Sequence, residues 1–195
     1  MPTTLVSLVS QQPLPNIFLI KEMKDVDHYL FITTELMERS GQLEHTIKVL
    51  CLLPEQYHRI IVKEDSLKDI TNQLQALKLK MLDQHFIVNL TNGTKIMSIA
   101  TYNFFQDALM SREIYYLPIG KNHYQQIIPP TNDPIKPIQF KIGVKAYFNA
   151  YGIEIKNEKF INQVQSKKVT SALYKSYTSN SLFRDSEQYA KGILQ

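Results

Sequence analysis

FIVNLTNGTKIMSIATYNFF, residues 86–105, predicts a strand, a tight polar turn and a helix in direct succession. The strand begins with the apolar run Phe86, Ile87 and Val88, which is typical of a strand that is buried on both faces. Apolar residues then recur at helical spacing from Ile96 to Phe105. A buried strand that leads through a short turn into a helix is a unit of an α/β protein.

The turn of this unit has the composition of a phosphate site. Thr91–Lys95 brings two hydroxyls, an amide, a glycine and an ammonium to the start of the helix, and Asn89 precedes it. Backbone N–H groups and the positive end of the helix dipole favour an anion there. Gly93 allows positive φ and a close backbone approach, and Lys95 opposes the dipole unless an anion lies nearby. Met97 is expected to be a core residue, and the alternative is that it packs on the base of a bound nucleotide.

Further strands and helices are predicted to alternate on both sides of this unit. Helices are expected over residues 17–23, with Asn16 as N-cap, and over 42–53, 66–79 and 144–151. Strands alternating with helices predict a parallel sheet with right-handed crossovers. Further strands are predicted over residues 4–9, 29–33, 59–62, 113–117 and 123–128.

Small polar residues or glycines follow four of these strands. In parallel α/β sheets, ligands bind outside the carboxyl ends of the strands, near the switch in strand order. The pattern therefore predicts that one ligand site is formed by Ser10, Gln11, Gln12, Thr33, Thr34, Asn89, Thr91, Asn92, Gly93, Thr94, Lys95, Met97, Gly120 and Lys121.

Several common catalytic and cofactor motifs are missing from the sequence. It contains no G-x-G-x-x-G after the first strand, no G-x-x-x-x-G-K-[ST] loop and no G-x-S-x-G elbow. The five histidines are scattered and do not have the spacing of metal ligands. We therefore expect no metal, no cofactor and no catalytic residues.

Composition limits the partners. The 195 residues carry a formal charge of +4, a mild basic bias that suits an anionic ligand but is too weak for direct binding of long nucleic acid. The one cysteine, Cys51, lies in an apolar run, which favours a buried thiol and a reducing compartment. No apolar run approaches the roughly 20 residues that cross a bilayer, and the chain does not open like a signal peptide. We expect a cytoplasmic protein without a membrane partner.

The alternation of apolar strands and helices ends near residue 130. This change predicts a domain over 1–130 and a small α/β connector over 131–195. Residues 131–137 read as a linker with two prolines. Gly152 is expected to end the helix over 144–151, and residues 153–155 to form a brief strand. Residues 157–195 are polar and predicted to be helical in pieces, with a break at 176–181.

Four segments of the sequence resemble the CARF (CRISPR-associated Rossmann fold) family, in the branch found on CARF nucleases of type III CRISPR defence. They are residues 5–16, 86–105, 114–121 and 147–153, in the family's order. The family's turn typically reads N-x-T-G-G-T-K-x-M-S. The same turn begins here at Asn89, with Asn92 at the position of the first glycine.

This resemblance implies a Rossmann-like sheet sandwiched by helices and a homodimer that binds cyclic oligoadenylate in a shared groove. The ring is most often cyclic tetra-adenylate, with cyclic hexa-adenylate as the alternative. On that basis Thr91–Lys95 hold phosphate and ribose, Ser10–Gln12 reach base edges or ribose, and Thr33, Thr34, Gly120 and Lys121 flank the groove. Ligand binding would activate an effector domain that is missing here, because residues 131–195 show neither a D…E-x-K nuclease core nor a zinc deaminase motif.

Three functions stay open at this point. The first is a receptor without chemistry of its own. The second is a ring nuclease that cleaves its activator, with Lys95 and the hydroxyls of Thr91 or Thr94 as candidate groups. The third is a CARF-type transcription regulator whose tail binds DNA.

Overall fold

The computed structural model of the chain describes residues 1–78, 84–106 and 111–155. In these ranges seven strands form one sheet: β1 Thr3–Leu8, β2 His28–Thr34, β3 Tyr57–Val62, β4 His85–Asn89, β5 Ser111–Tyr116, β6 His123–Ile128 and β7 Ile135–Pro137. The α-helices are α1 Leu14–Glu22, α2 Glu35–Arg39, α3 Gln42–Leu50, α4 Leu67–Lys78, α5 Lys95–Phe105 and α6 Val144–Ala150, and a 3₁₀ turn spans Pro54–Gln56.

The strand order is β3-β2-β1-β4-β5-β6-β7. The first five strands are parallel to their neighbours, whereas β6 and β7 add an antiparallel edge. Because β2 and β3 lie on one side of β1 and the later strands on the other, the order switches between β1 and β4. The predicted Rossmann-like α/β fold is confirmed, and its switch point lies where the sequence predicted a ligand site.

Helices cover both faces of the sheet. On one face, α1, α3 and α6 share a core with residues of β1, β2, β4 and β5, and on the other face α4 and α5 pack over a second core. Helix α1 is buried from Leu14 to Ile20 because it lies between the sheet and the other two helices. The predicted sandwich is therefore present in the described part of the chain.

Several local expectations are wrong. Helix α1 begins at Leu14 after Pro13, so that Asn16 is buried inside the helix and is not its N-cap. The expected linker over 131–137 contains β7, and no strand forms over 153–155. Helix α3 ends at Leu50, and the next residue, Cys51, is exposed in a left-handed cap instead of buried.

The described part of the segment after residue 130 packs on the same core as α1. Ile138, Ile142 and Ala150 belong to this core. The division at residue 130 stays a prediction, and the predictions for 157–195, including the break at 176–181, lie outside the described residues. Every helix in the described ranges is too short or too polar to span a bilayer, and no three His, Cys, Asp or Glu residues there group as metal ligands.

Candidate ligand site at the carboxyl ends of the strands

The turn after β4 is built around a capped helix and a glycine. The Thr94 hydroxyl caps α5 by accepting from the backbone N–H of Met97 at 3.2 Å, and it donates to the backbone oxygen of Glu64 at 2.8 Å. Gly93 has φ +80°, and a Cβ there would lie 3.1 Å from the Cβ of Leu8. Lys95 is exposed as the first residue of α5. The turn therefore lies against β1 and presents an ammonium at a helix N-terminus.

A buried amide pair fixes the base of this turn. Asn89 is fully buried, and its Oδ1 accepts from the backbone N–H of Thr91 at 3.1 Å and from its hydroxyl at 2.7 Å. Its Nδ2 donates to Asn16 Oδ1 at 2.9 Å, and Asn16 Nδ2 donates to the backbone oxygen of Leu8 at 2.8 Å. The end of β4, the first turn of α1 and the end of β1 are thereby joined.

The loop after β1 is joined to the same turn. Asn92, which is buried, donates from Nδ2 to the backbone oxygen of Gln12 at 3.0 Å. Ser10 Oγ accepts from the backbone N–H of Gln12 at 3.1 Å, which tightens the loop. The side chains of Gln11 and Gln12 are exposed. The loop therefore offers amide groups beside the turn that carries Lys95.

The loop after β5 is the third to join. The backbone N–H of Leu117 donates to the Thr91 hydroxyl oxygen at 2.8 Å. Gly120 in the same loop has φ +74°, and Lys121 after it is exposed. The loops that follow β1, β4 and β5 are thus tied by hydrogen bonds at the switch point of the sheet.

Besides Asn89 and Asn92, three more of the predicted site residues are buried in the protein. Thr33 is fully buried, and its hydroxyl has no hydrogen-bond partner among the described residues. Thr34 is buried and caps α2 by accepting from the backbone N–H of Met37 at 3.3 Å. Met97 is 1% exposed and belongs to the core under α5. These side chains support the loops from beneath and are not exposed beside them.

Both threonine hydroxyls of the turn make hydrogen bonds within the protein. The hydroxyl protons of Thr91 and Thr94 are already donated within the protein, to Asn89 Oδ1 and to the backbone oxygen of Glu64. Residues 9–13, 90–95 and 117–121 contain no histidine, cysteine, aspartate or glutamate, so these loops supply no imidazole, thiol or carboxylate base. They supply exposed amides, two lysines and a helix N-terminus, a set that favours an anion.

Sequence reasoning missed Asn16 and Tyr151 as parts of this site. Asn16 interrupts the apolar run of α1, and an amide amid buried apolar residues is a signal that it has a polar partner. Tyr151, at the end of α6, donates its hydroxyl to Gln12 Oε1 at 3.0 Å. No sequence signal announces that contact, because 139 positions separate the two residues.

The fold and the loops define a class, a Rossmann-like domain whose strand-end loops meet at the switch point of its sheet. A family model described as the Card1 CARF domain matches residues 4–147, well over half of the chain. The chain therefore belongs to the CARF family, in its Card1 group, and the resemblance noted from the sequence is confirmed. No curated protein matches the chain.

Solved structures share this fold. Can2 from Sulfobacillus thermosulfidooxidans, solved in complex with cyclic tetra-adenylate, has a TM-score of 0.67 and 19% identity over 89% of this chain and 50% of Can2. Protein VC1899 from Vibrio cholerae has a TM-score of 0.66 and 16% identity over 77% of this chain and 39% of its own. A type III CRISPR defence DNA nuclease activated by cyclic oligoadenylate has a TM-score of 0.62 and 16% identity over 81% of this chain and 24% of the nuclease. The chain spans half or less of each.

Proposed function

We propose that this chain is a sensor domain that binds a cyclic oligoadenylate, most suitably cyclic tetra-adenylate, for type III CRISPR defence. The observation that carries the proposal is the joining of three strand-end loops around Thr91–Lys95 at the switch point. Can2, which shares the fold, was solved with cyclic tetra-adenylate. An anionic ring suits a surface that offers Lys95, Lys121 and exposed amides.

The proposed site is completed by a second copy of the chain. A four-membered ring is two-fold symmetric, so an isologous pair would present the same loops to each half. Ser10–Gln12, Asn92–Lys95, Gly120 and Lys121 would contact the ring, while Thr33, Thr34, Asn89, Thr91 and Met97 hold the loops in place. Occupancy would then be passed to an effector joined to the sensor in a longer protein.

A receptor is favoured over a ring nuclease because the threonine hydroxyls of the turn already donate their protons within the protein. The candidate groups for assisting cleavage were Lys95 and the hydroxyls of Thr91 or Thr94. Lys95 is exposed, but both hydroxyls donate to oxygens of the protein itself. A chain that only binds returns its ligand intact after prolonged incubation. Chromatography of the nucleotide after incubation with excess protein separates the two functions, since linear products would establish the nuclease.

Calorimetric titration tests the proposed function directly. The full chain is titrated with cyclic tetra-adenylate, with cyclic hexa-adenylate and with linear tetra-adenylate as the matched control of equal base content. We expect heat with the four-membered ring at one ring per two chains, and weak or no heat with the linear oligomer. No heat with either ring would contradict the proposal, and heat with the six-membered ring alone would correct the ligand.

A further inference from the structure

The loop after β1 is held by the end of α6 through one hydrogen bond. Tyr151 donates its hydroxyl to Gln12 Oε1 at 3.0 Å, although the residues stand 139 positions apart in the chain. Gln12 belongs to the loop that carries the candidate site. Tyr151 lies just past residue 147, where the match to the family ends. The bond thus joins the candidate site to the segment that follows the family match.

The backbone that presents this tyrosine is itself fixed. Gln42 of α3 donates from Nε2 to the backbone oxygen of Ala150 at 2.9 Å, in a buried position. Gly152 follows with φ +74°, packed so closely on His45 of α3 that a Cβ there would overlap the imidazole ring. The ring of Tyr151 packs on that of Tyr147, with centroids 5.2 Å apart. The hydroxyl is therefore held at a defined position beside Gln12.

That position determines what Gln12 offers to a ligand. A carboxamide has one acceptor oxygen and a donor NH₂ group at opposite corners. Because Oε1 accepts the Tyr151 proton, the NH₂ group is directed away from Tyr151. The backbone oxygen of Gln12 meanwhile holds Asn92 at 3.0 Å. Gln12 is consequently fixed at both its main chain and its side chain. Among the residues that the structure describes, its two side-chain N–H donors meet no acceptor, which leaves them for acceptor atoms of a ligand.

We propose that Tyr151 is a positioning residue that orients the amide of Gln12 for ligand binding, and that the same bond couples site occupancy to the end of α6. A coupling between two sites is reciprocal, so a contact that helps Gln12 bind is in turn strengthened when Gln12 is occupied. Ligand binding therefore stabilises the turn at Tyr151–Gly152. The inference rests on the proposed function and adds a regulatory contact to it.

A double-mutant cycle with cyclic tetra-adenylate tests the positioning role. Tyr151→Phe keeps the ring packing on Tyr147 and removes the hydroxyl, and we expect affinity to fall roughly threefold to tenfold, the range for one hydrogen bond. In the background of Gln12→Ala the same change should have no further effect. Tyr57→Phe, a half-buried tyrosine of β3, is the matched control and should leave affinity unchanged.

The outcomes separate this inference from the function it rests on. No heat with the unaltered chain overturns both. Normal binding by Tyr151→Phe, or an equal loss with and without Gln12, overturns the positioning role alone. Hydrogen exchange over residues 144–152 then tests the coupling, because ligand should slow exchange there in the unaltered chain and much less in Tyr151→Phe. Equal protection in the two proteins would show that the hydrogen bond does not transmit occupancy.

Discussion

Lys95 is the exposed cation at the start of α5, where the helix dipole would repel it in the absence of an anion. Replacing Lys95 with Ala should weaken binding of cyclic tetra-adenylate by roughly 1.5–3 kcal/mol, since a charge-assisted bond to phosphate is lost. Calorimetric titration gives the affinity, and thermal unfolding should show that the fold survives.

Lys48→Ala is the matched control for that change. Lys48 is exposed in the last turn of α3. Because α3 leads back to the start of β3, Lys48 lies toward the amino ends of the strands and away from the proposed site. Its removal takes away the same charge without touching the strand-end loops. Equal affinity losses in the two variants would mean that Lys95 acts through net charge alone, and unchanged affinity in Lys95→Ala would exclude it from the site.

Tyr115 gives the stability of the domain an alkaline dependence. Burial, and then the hydrogen bond to Glu113 Oε2 at 2.6 Å, raise the pKa of Tyr115 well above its ordinary value of 10.0. Below pH 10 the hydroxyl is protonated in the folded and the unfolded chain alike. As the pH rises above 10, the unfolded chain ionises first, so this contribution to stability is progressively lost.

The prediction is that Tyr115→Phe is less sensitive to alkaline pH than the unaltered chain. The free energy of unfolding in urea, measured at about pH 8 and about pH 11, should fall less in the variant. Tyr116→Phe, on the neighbouring and less buried residue of β5, serves as the control. An equal fall in the unaltered chain and in Tyr115→Phe would show that Tyr115 does not titrate differently on folding.

At the scale of elements, the turn between β4 and α5 depends on Gly93. Its φ of +80° lies in the left-handed region, and a Cβ would come within 3.1 Å of Leu8 Cβ and 3.3 Å of Met97 Cβ. Gly93→Ala should therefore lower the free energy of unfolding by about 1–3 kcal/mol and displace the turn from β1. Urea denaturation measures the first effect, and titration with cyclic tetra-adenylate measures the second.

Gly143→Ala offers a control of the same chemistry. Gly143 precedes α6 with ordinary extended backbone, and a Cβ there would meet nothing within 4 Å. Gly143 is the N-cap of α6, where glycine is favoured over alanine, but alanine also reduces the freedom of the unfolded chain. We therefore expect a smaller loss of stability than in Gly93→Ala, at most about 1 kcal/mol. If both glycine variants lost stability equally, the loss in Gly93→Ala could not be assigned to its positive φ and its close approach to Leu8.

Sequence patterns predicted the elements that depend on neighbouring residues. They did not predict the contacts between residues that are far apart in the chain. The apolar spacing of α5 is readable from neighbouring residues, so this helix was predicted closely. Helix α1 is buried all round, which hides the periodicity that would mark its start, and Asn16 is satisfied by Leu8 and by Asn89, 73 positions away. Likewise Met97 follows the turn in sequence, but it lies on the face of α5 that packs in the core.

For the whole molecule, the proposed site lies at the carboxyl ends of the strands, and its proposed partner is a second copy of the chain. In the described part of the chain, exposed Gln11, Gln12, Lys95 and Lys121 all belong to loops at or next to the switch point. Two copies facing each other across a two-fold axis would enclose a small ring and would explain why the polar atoms that hold the loops are directed inward.

The last prediction therefore concerns heat stability and assembly together. A ligand that binds only the folded pair stabilises it by about 2.7 kcal/mol when present at 100 times its Kd. Because this free energy is shared by the unfolding of two chains of this size, it raises the midpoint of thermal unfolding by roughly 3–5 °C. Differential scanning with cyclic tetra-adenylate measures the shift, and linear tetra-adenylate is the control.

Sedimentation equilibrium at the same concentrations tells which species is stabilised. We expect a mass of two chains with the ring present, and a midpoint that rises with protein concentration, as mass action requires for a dimer. A shift of about twice the predicted size in a monomer would indicate one ring per chain and would contradict the homodimer. Loss of the shift in Lys95→Ala, with the dimer intact, would assign the stabilisation to the strand-end loops and not to contacts elsewhere between the copies.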